Sequence, residues 1–133
     1  MKKLMFSAVA AMALILIAGC SSVKVVQGAD LNGQQLSSDS RTNVAHISAS
    51  SLGLYGCVVA PLVVGSAEKP GSIAWFSEDA TQEGPVAKMV TTKAKELGAT
   101  SVLDLQSQKN WIIPIIPGLL NIYNVEASGN AVK

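Results

Sequence analysis

The spacing of apolar positions along this chain changes several times, and each change predicts an element. Residues 42–50, TNVAHISAS, set Val44, His46 and Ser48 against Ala45, Ile47 and Ala49, which is the two-residue alternation of a half-buried strand. Residues 52–65, LGLYGCVVAPLVVG, are rich in β-branched side chains but interrupted by Gly56 and Pro61. Proline lacks the N–H of an inner ladder, so this stretch predicts a strand to about Val59 and then an edge or a turn. Pro70-Gly71 signals a turn, and Ile73-Ala74-Trp75-Phe76 a short strand after it.

Beyond this point the apolar period lengthens. Val86, Met89, Val90, Ala94 and Leu97 fall at i, i+3, i+4, i+8 and i+11, one stripe of a helix over residues 84–97. Pro85 suits an early helical position, Asp79 and Glu83 lie near the positive helix start, and Gly98 stands where a left-handed residue ends a helix. Lys93 falls inside the apolar stripe. Its stem must run along packed surface, or its ammonium must meet an acid such as Asp104.

Alternation then returns. Residues 100–108 place Leu103 and Leu105 on one strand face and Val102, Asp104 and Gln106 on the other. Residues 120–127 oppose Leu120, Ile122 and Asn124 to Tyr123 and Val125, as a last strand. These elements predict an α+β fold, a mainly antiparallel sheet of about four strands with one packed helix, in a single domain over residues 42–133. A chain of 133 residues has room for one such domain and no second.

The N-terminal part is different. Residues 21–41 are mostly small and polar, with only Val23, Val25, Val26, Leu31 and Leu36 to bury. They read as a tether over residues 20–41, with a short strand at residues 23–26 as the alternative. Before them, MKKLMFSAVAAMALILIAGC has a basic start, an uncharged apolar run and small residues at its end. That is the layout of an export signal, and the run of about 15 residues is shorter than the roughly 20 of a spanning helix. The quartet Leu16-Ile17-Ala18-Gly19 before Cys20 resembles the lipobox of bacterial lipoproteins. The resemblance implies a diacylglyceryl group on the Cys20 sulfur, cleavage between Gly19 and Cys20 that removes residues 1–19, and acylation of the new N-terminus. Ser21 stands where lipoproteins kept in the inner membrane often carry Asp, so the resemblance further implies an outer-membrane anchor, with the domain facing the periplasm.

Charge narrows the partners. Removing Lys2 and Lys3 from 10 basic residues against 9 acidic ones leaves a mature chain of formal charge −1. Nucleic-acid binders carry a basic patch or a pI above about 9, so nucleic acid is not an expected partner. The expected partners are the membrane, through acyl chains on Cys20, and either an envelope protein or a second copy. The stretch KELGATSVLDL, residues 95–105, resembles the helix-to-strand joint of small α/β envelope domains such as that of the Rcs stress-sensor lipoprotein. This adds an envelope-stress sensor as an alternative function, although the several domain cysteines of that sensor are lacking and its partners do not carry over.

Candidate chemistry is sparse. Cys57 is the one cysteine besides Cys20. Placed between Tyr55-Gly56 and Val58-Val59 with no basic neighbour, it reads as a packed thiol. A thiol-dependent enzyme using Cys57 with His46, the sole histidine, is the weaker alternative, and the expectation is no enzyme. Zinc would need three or four ligands in recognisable spacing, which one histidine and one thiol do not supply, so no metal or other cofactor is expected. Glu78-Asp79 reads as solvated charge near the helix start.

The remaining feature is NWIIPIIPGLLNIY, residues 110–123. Its apolar run is too short to span a bilayer, and Pro114 and Pro117 break it as a helix and exclude it from an inner strand. An edge or loop results, carrying Trp111, Ile112, Ile113, Ile115, Ile116 and Leu119 as the candidate partner-binding residues, because runs of exposed apolar residues mark interfaces. Antiparallel pairing of residues 48–55 with residues 120–127 should bring this run beside residues 57–64 and form one apolar end. The function expected is a lipid-anchored binding or structural module of the cell envelope.

Overall fold

In a computed structural model the described residues are 20–27, 42–57, 60–77, 82–117 and 119–133, with the side chains of residues 113–115 left out. The expected signal peptide with Gly19, most of the expected tether, and Glu78-Asp79 lie outside the described residues. The elements are β1 (Ser21–Gln27), β2 (Asn43–Gly56), β3 (Ala60–Gly65), β4 (Ile73–Trp75), α1 (Glu83–Glu96), β5 (Ser101–Ile116) and β6 (Leu120–Val132). The architecture is α+β, a mainly antiparallel sheet with one helix. The sheet has six strands instead of about four.

Two differences account for the extra strands. Residues 21–27, expected to begin a tether, form β1, which pairs antiparallel with β2 from Ser21↔Ser51 to Gln27↔Ala45. Val23 and Val25 pack against the core while Lys24 is exposed, so the strand alternative at residues 23–26 is the one realised, and the sheet begins well before Thr42. The stretch around Pro61 forms a strand of its own. β2 ends at Gly56, not near Val59, and β3 starts at Ala60. Pro61 opposes Tyr55 just past a register shift in β2, outside the span of β3 that pairs with β4 at Val63, Val64 and Gly65. Its missing N–H is tolerated there.

The strand order is β4-β3-β2-β6-β5, with β1 also on β2. β2 is the axis. It pairs with β6 along its whole length, while β1 and β3 lie end to end along its other edge. Period-two alternation gives β2 and β6 a face of Ala45, Ile47, Ala49, Val125, Ala127 and Ala131, and α1 lays Val86, Met89, Val90 and Ala94 on it. Alanines on the sheet let the helix approach closely. Each fully buried valine contributes roughly 1.5–3 kcal/mol of transfer free energy.

The helix ends as its sequence predicts. Gly98 adopts φ +76°, and the N–H groups of Gly98 and Ala99 bond the carbonyls of Lys95 and Ala94, closing the last turn. Lys93 meets Glu96 at 2.8 Å, one turn along the helix, not Asp104. β5 runs well past residue 108, because the apolar run continues it to Ile116 as an edge strand. Pro114 fits an edge, and register shifts at Leu103/Gln106, Trp111/Ile113 and Pro114/Ile116 interrupt the ladder there.

Candidate functional site

The side chains singled out by sequence divide between the two sheet faces. β2 and β6 turn Tyr55 and Tyr123 toward the helix side, beyond the end of α1. Their rings meet edge to face at 5.1 Å between centroids, and the Lys109 ammonium stands 5.5 and 4.9 Å from the two centroids. Trp111 pairs with Tyr123 in the β5–β6 register and so belongs to the same face. It is 60% exposed, and at the hairpin tip Leu119 is 57% exposed; Ile112 is exposed as well, and so is Ile116, which pairs with Leu120 on the opposite face. The side chains of Ile113 and Ile115, named with them from sequence, lie outside the described residues.

The opposite face carries no described helix, and it changes character along its length. One half is polar. Ser22 and Ser50 hydroxyls meet at 3.0 Å, and Asn124 donates to Glu126 at 2.6 Å. Asn130 donates its amide to Asp104 at 3.1 Å, because a carboxylate only accepts. That leaves the Asn130 carbonyl toward His46 Nδ1 at 2.8 Å, so Nδ1 carries the proton. Asp104 reaches this position from a backbone with φ +52° inside the β5 register shift.

The other half is apolar. Register places Trp75, Val63, Leu54 and Ile122 in one row across four strands. Leu54 and Val63 are buried within it, whereas Trp75 at its end is 56% exposed. Sequence reading anticipated the β2–β6 pairing that builds this end. It misplaced the two apolar runs, because β3 and β5 are separated by β2 and β6 and only their turns meet, through the Cys57 N–H on the Leu119 carbonyl at 2.8 Å. It also passed over Ile73, Trp75 and Phe76 as surface, since a three-residue strand with no proline or charge gives no sign of lying at an edge.

The structure does not bring Cys57 to His46. They stand eleven positions apart along β2 and its turn, roughly 35 Å at about 3.3 Å per strand residue. Cys57 is exposed in a turn at φ +48°, which corrects the expectation of a packed thiol. Among the described residues no group of three His, Cys, Asp or Glu lies close enough to hold a metal ion. Between β1, the loop after β3 and α1 there is a cleft of about 970 Å³, lined by Ser21, Ser66 and Thr92, the apolar Val23 and Met89, and charged groups such as Lys88. No family model, no curated protein and no solved structure shows a significant match to this chain.

Proposed function

We propose that this protein is a lipid-anchored module of the bacterial cell envelope, held in the outer membrane through acylated Cys20 and binding a protein partner through the tip of the β5–β6 hairpin. The anchor rests on the resemblance of LIAG-Cys20 to a lipobox. The observation that carries the binding role is the exposure of Trp111, Ile112, Ile116 and Leu119 together on one edge strand and its turn. Tryptophan in particular dominates the energetics of binding surfaces when a partner desolvates it, and the exposed half of these side chains gains nothing from the fold in water.

The test is a photo-crosslinking amino acid placed at Trp111 or Ile116 in the native acylated protein, with Thr91 on the exposed side of α1 as control. Discrete adducts from the first two positions and none from Thr91 support the reading, and a second copy of the chain in those adducts identifies self-association. Equal, diffuse labelling from all three positions would remove it.

A further inference from the structure

Cys20 stands at the very edge of the folded sheet. Its carbonyl accepts the Leu52 N–H at 2.8 Å, and the Ser21 carbonyl accepts the Gly71 N–H at 2.9 Å. The buried Ser21 hydroxyl donates to the Ser66 carbonyl at 2.7 Å. No slack residue separates the acylation position from β1. Acyl chains on the Cys20 sulfur therefore hold the sheet itself, not a flexible leader, at the bilayer.

The side that faces the bilayer follows from Gly65. A Cβ on this glycine would lie 2.7 Å from the Cys20 carbonyl carbon and oxygen and from Ser21 Cβ, so the Cys20–Ser21 backbone abuts β3 at Gly65. Ser21 pairs with Ser51 on the helix side, so strand alternation turns Cys20 to the opposite face. Antiparallel partners point to the same face of a sheet. Gly65 pairs with Ile73 and Val63 with Trp75, and Val63 pairs with Leu54 on the face opposite the helix, so Ile73 and Trp75 share the face to which Cys20 turns. Ile73 is one strand spacing of about 4.8 Å from Gly65, and Trp75 lies two residues further along β4. Trp75 and the following Phe76 are 56% and 73% exposed, and Ile73 is exposed too. Phe76 sits at φ +54°, where a glycine would hold the backbone with less strain. The turn itself does not ask for an aromatic ring.

We infer that Ile73, Trp75 and Phe76 form a membrane contact, inserting into the interfacial layer of the leaflet that holds the Cys20 acyl chains. This rests on the lipid-anchor reading. The Trp75 indole, with an apolar body and a polar N–H, suits that layer, and Ile73 and Phe76 add apolar surface beside it. Anchoring at Cys20 makes the contact intramolecular, so its effective concentration is high and modest partitioning suffices. The segment from Ile73 to Phe76 bears no charge, Glu68 and Lys69 oppose one another, and the acidic Glu78 and Asp79 follow, so no basic cluster draws this contact to anionic lipid and it rests on apolar partitioning that high salt leaves intact. Trp111 lies at the opposite edge of the sheet and on the opposite face, turned away from the bilayer and open to a partner.

The two tryptophans report on the two surfaces separately. Acylated protein carrying Trp111→Phe or Trp75→Phe is reconstituted into phosphatidylethanolamine/phosphatidylglycerol vesicles containing acyl-brominated lipid, with the mass of the N-terminal peptide confirming acylation. The expected result is a blue shift and strong quenching of Trp75 that survive high salt, and an unshifted, unquenched Trp111. Acylated protein with an unquenched Trp75 would overturn the membrane contact and leave the anchor standing. An unmodified Cys20 would overturn the anchor, and the contact with it. Quenching of both tryptophans would support the contact and overturn the partner role of the hairpin tip.

Discussion

Gly129 sits where two strands approach more closely than a side chain allows. It pairs with Ile47 on β2, and a Cβ there would lie 2.6 Å from Val102 Cγ1 and 3.3 Å from the Leu103 carbonyl oxygen. Gly129→Ala should cost about 1–3 kcal/mol, the usual penalty of overpacking. Because the closest atom is a side-chain methyl, adding Val102→Ala should return part of that loss. Urea unfolding of the two single variants and the double variant reads the coupling; strict additivity would show that β5 moves as backbone instead. At Cys57 residue chemistry misleads. Its apolar neighbours suggest burial, but Gly56 ends β2 and leaves the thiol in an exposed turn. A maleimide should label native Cys57 at the rate of an open thiol, and Cys57→Ser should change stability by no more than about 0.5 kcal/mol. Slow labelling that needs denaturant would return the thiol to the core.

At the scale of elements, the helix was legible because its stripe, its proline and its terminal glycine agree, and α1 buries Val86, Met89, Val90 and Ala94 of that stripe. The alternation of β2 was legible for the same reason, with Ala45, Ile47 and Ala49 all turned inward. β1 was ambiguous because its seven residues carry only three valines among polar neighbours, and what makes them a strand is the free edge of β2, a tertiary fact. The reach of β5 was hidden by Pro114, which breaks helices and inner strands but not edges. These elements differ in what their apolar residues do. Val90 is fully buried against the sheet, so Val90→Ala should cost roughly 1–3 kcal/mol. Ile112→Ser with Ile116→Ser on the exposed tip should cost less than about 1 kcal/mol while abolishing crosslinks from Trp111. Thermal melts beside crosslink yields separate the two cases, and severe unfolding by the serine pair would place the tip in the core.

Across the whole molecule, sequence conveyed the pairing of β2 with β6 but not the strand order, because which strand flanks which depends on non-local closure and not on any local pattern. That order puts Trp75 and Trp111 on opposite edges and opposite faces, one beside Cys20 and one far from it. Under the proposed anchor, such a protein depends on the acyl group on Cys20 for location and on its own sheet and helix for folding. The Cys20 backbone carbonyl accepts the Leu52 N–H, a contribution to the sheet that alanine supplies equally. Three exposed apolar side chains alone are a weak membrane signal, and stable anchoring takes at least two signals acting together. Cys20→Ala should therefore move the protein from the membrane to the soluble periplasmic fraction with an unchanged thermal midpoint. Because the substitution also removes the proposed lipoprotein cleavage site, the comparison uses an ordinary cleavable export signal in place of residues 1–19. The converse variant, Trp75→Ser with Phe76→Ser on acylated protein, should stay in the membrane fraction but lose its fixed orientation, seen as lipid quenching of Trp111 that native protein lacks. Retention of the Cys20→Ala chain in the membrane would show that something other than the acyl group holds it there.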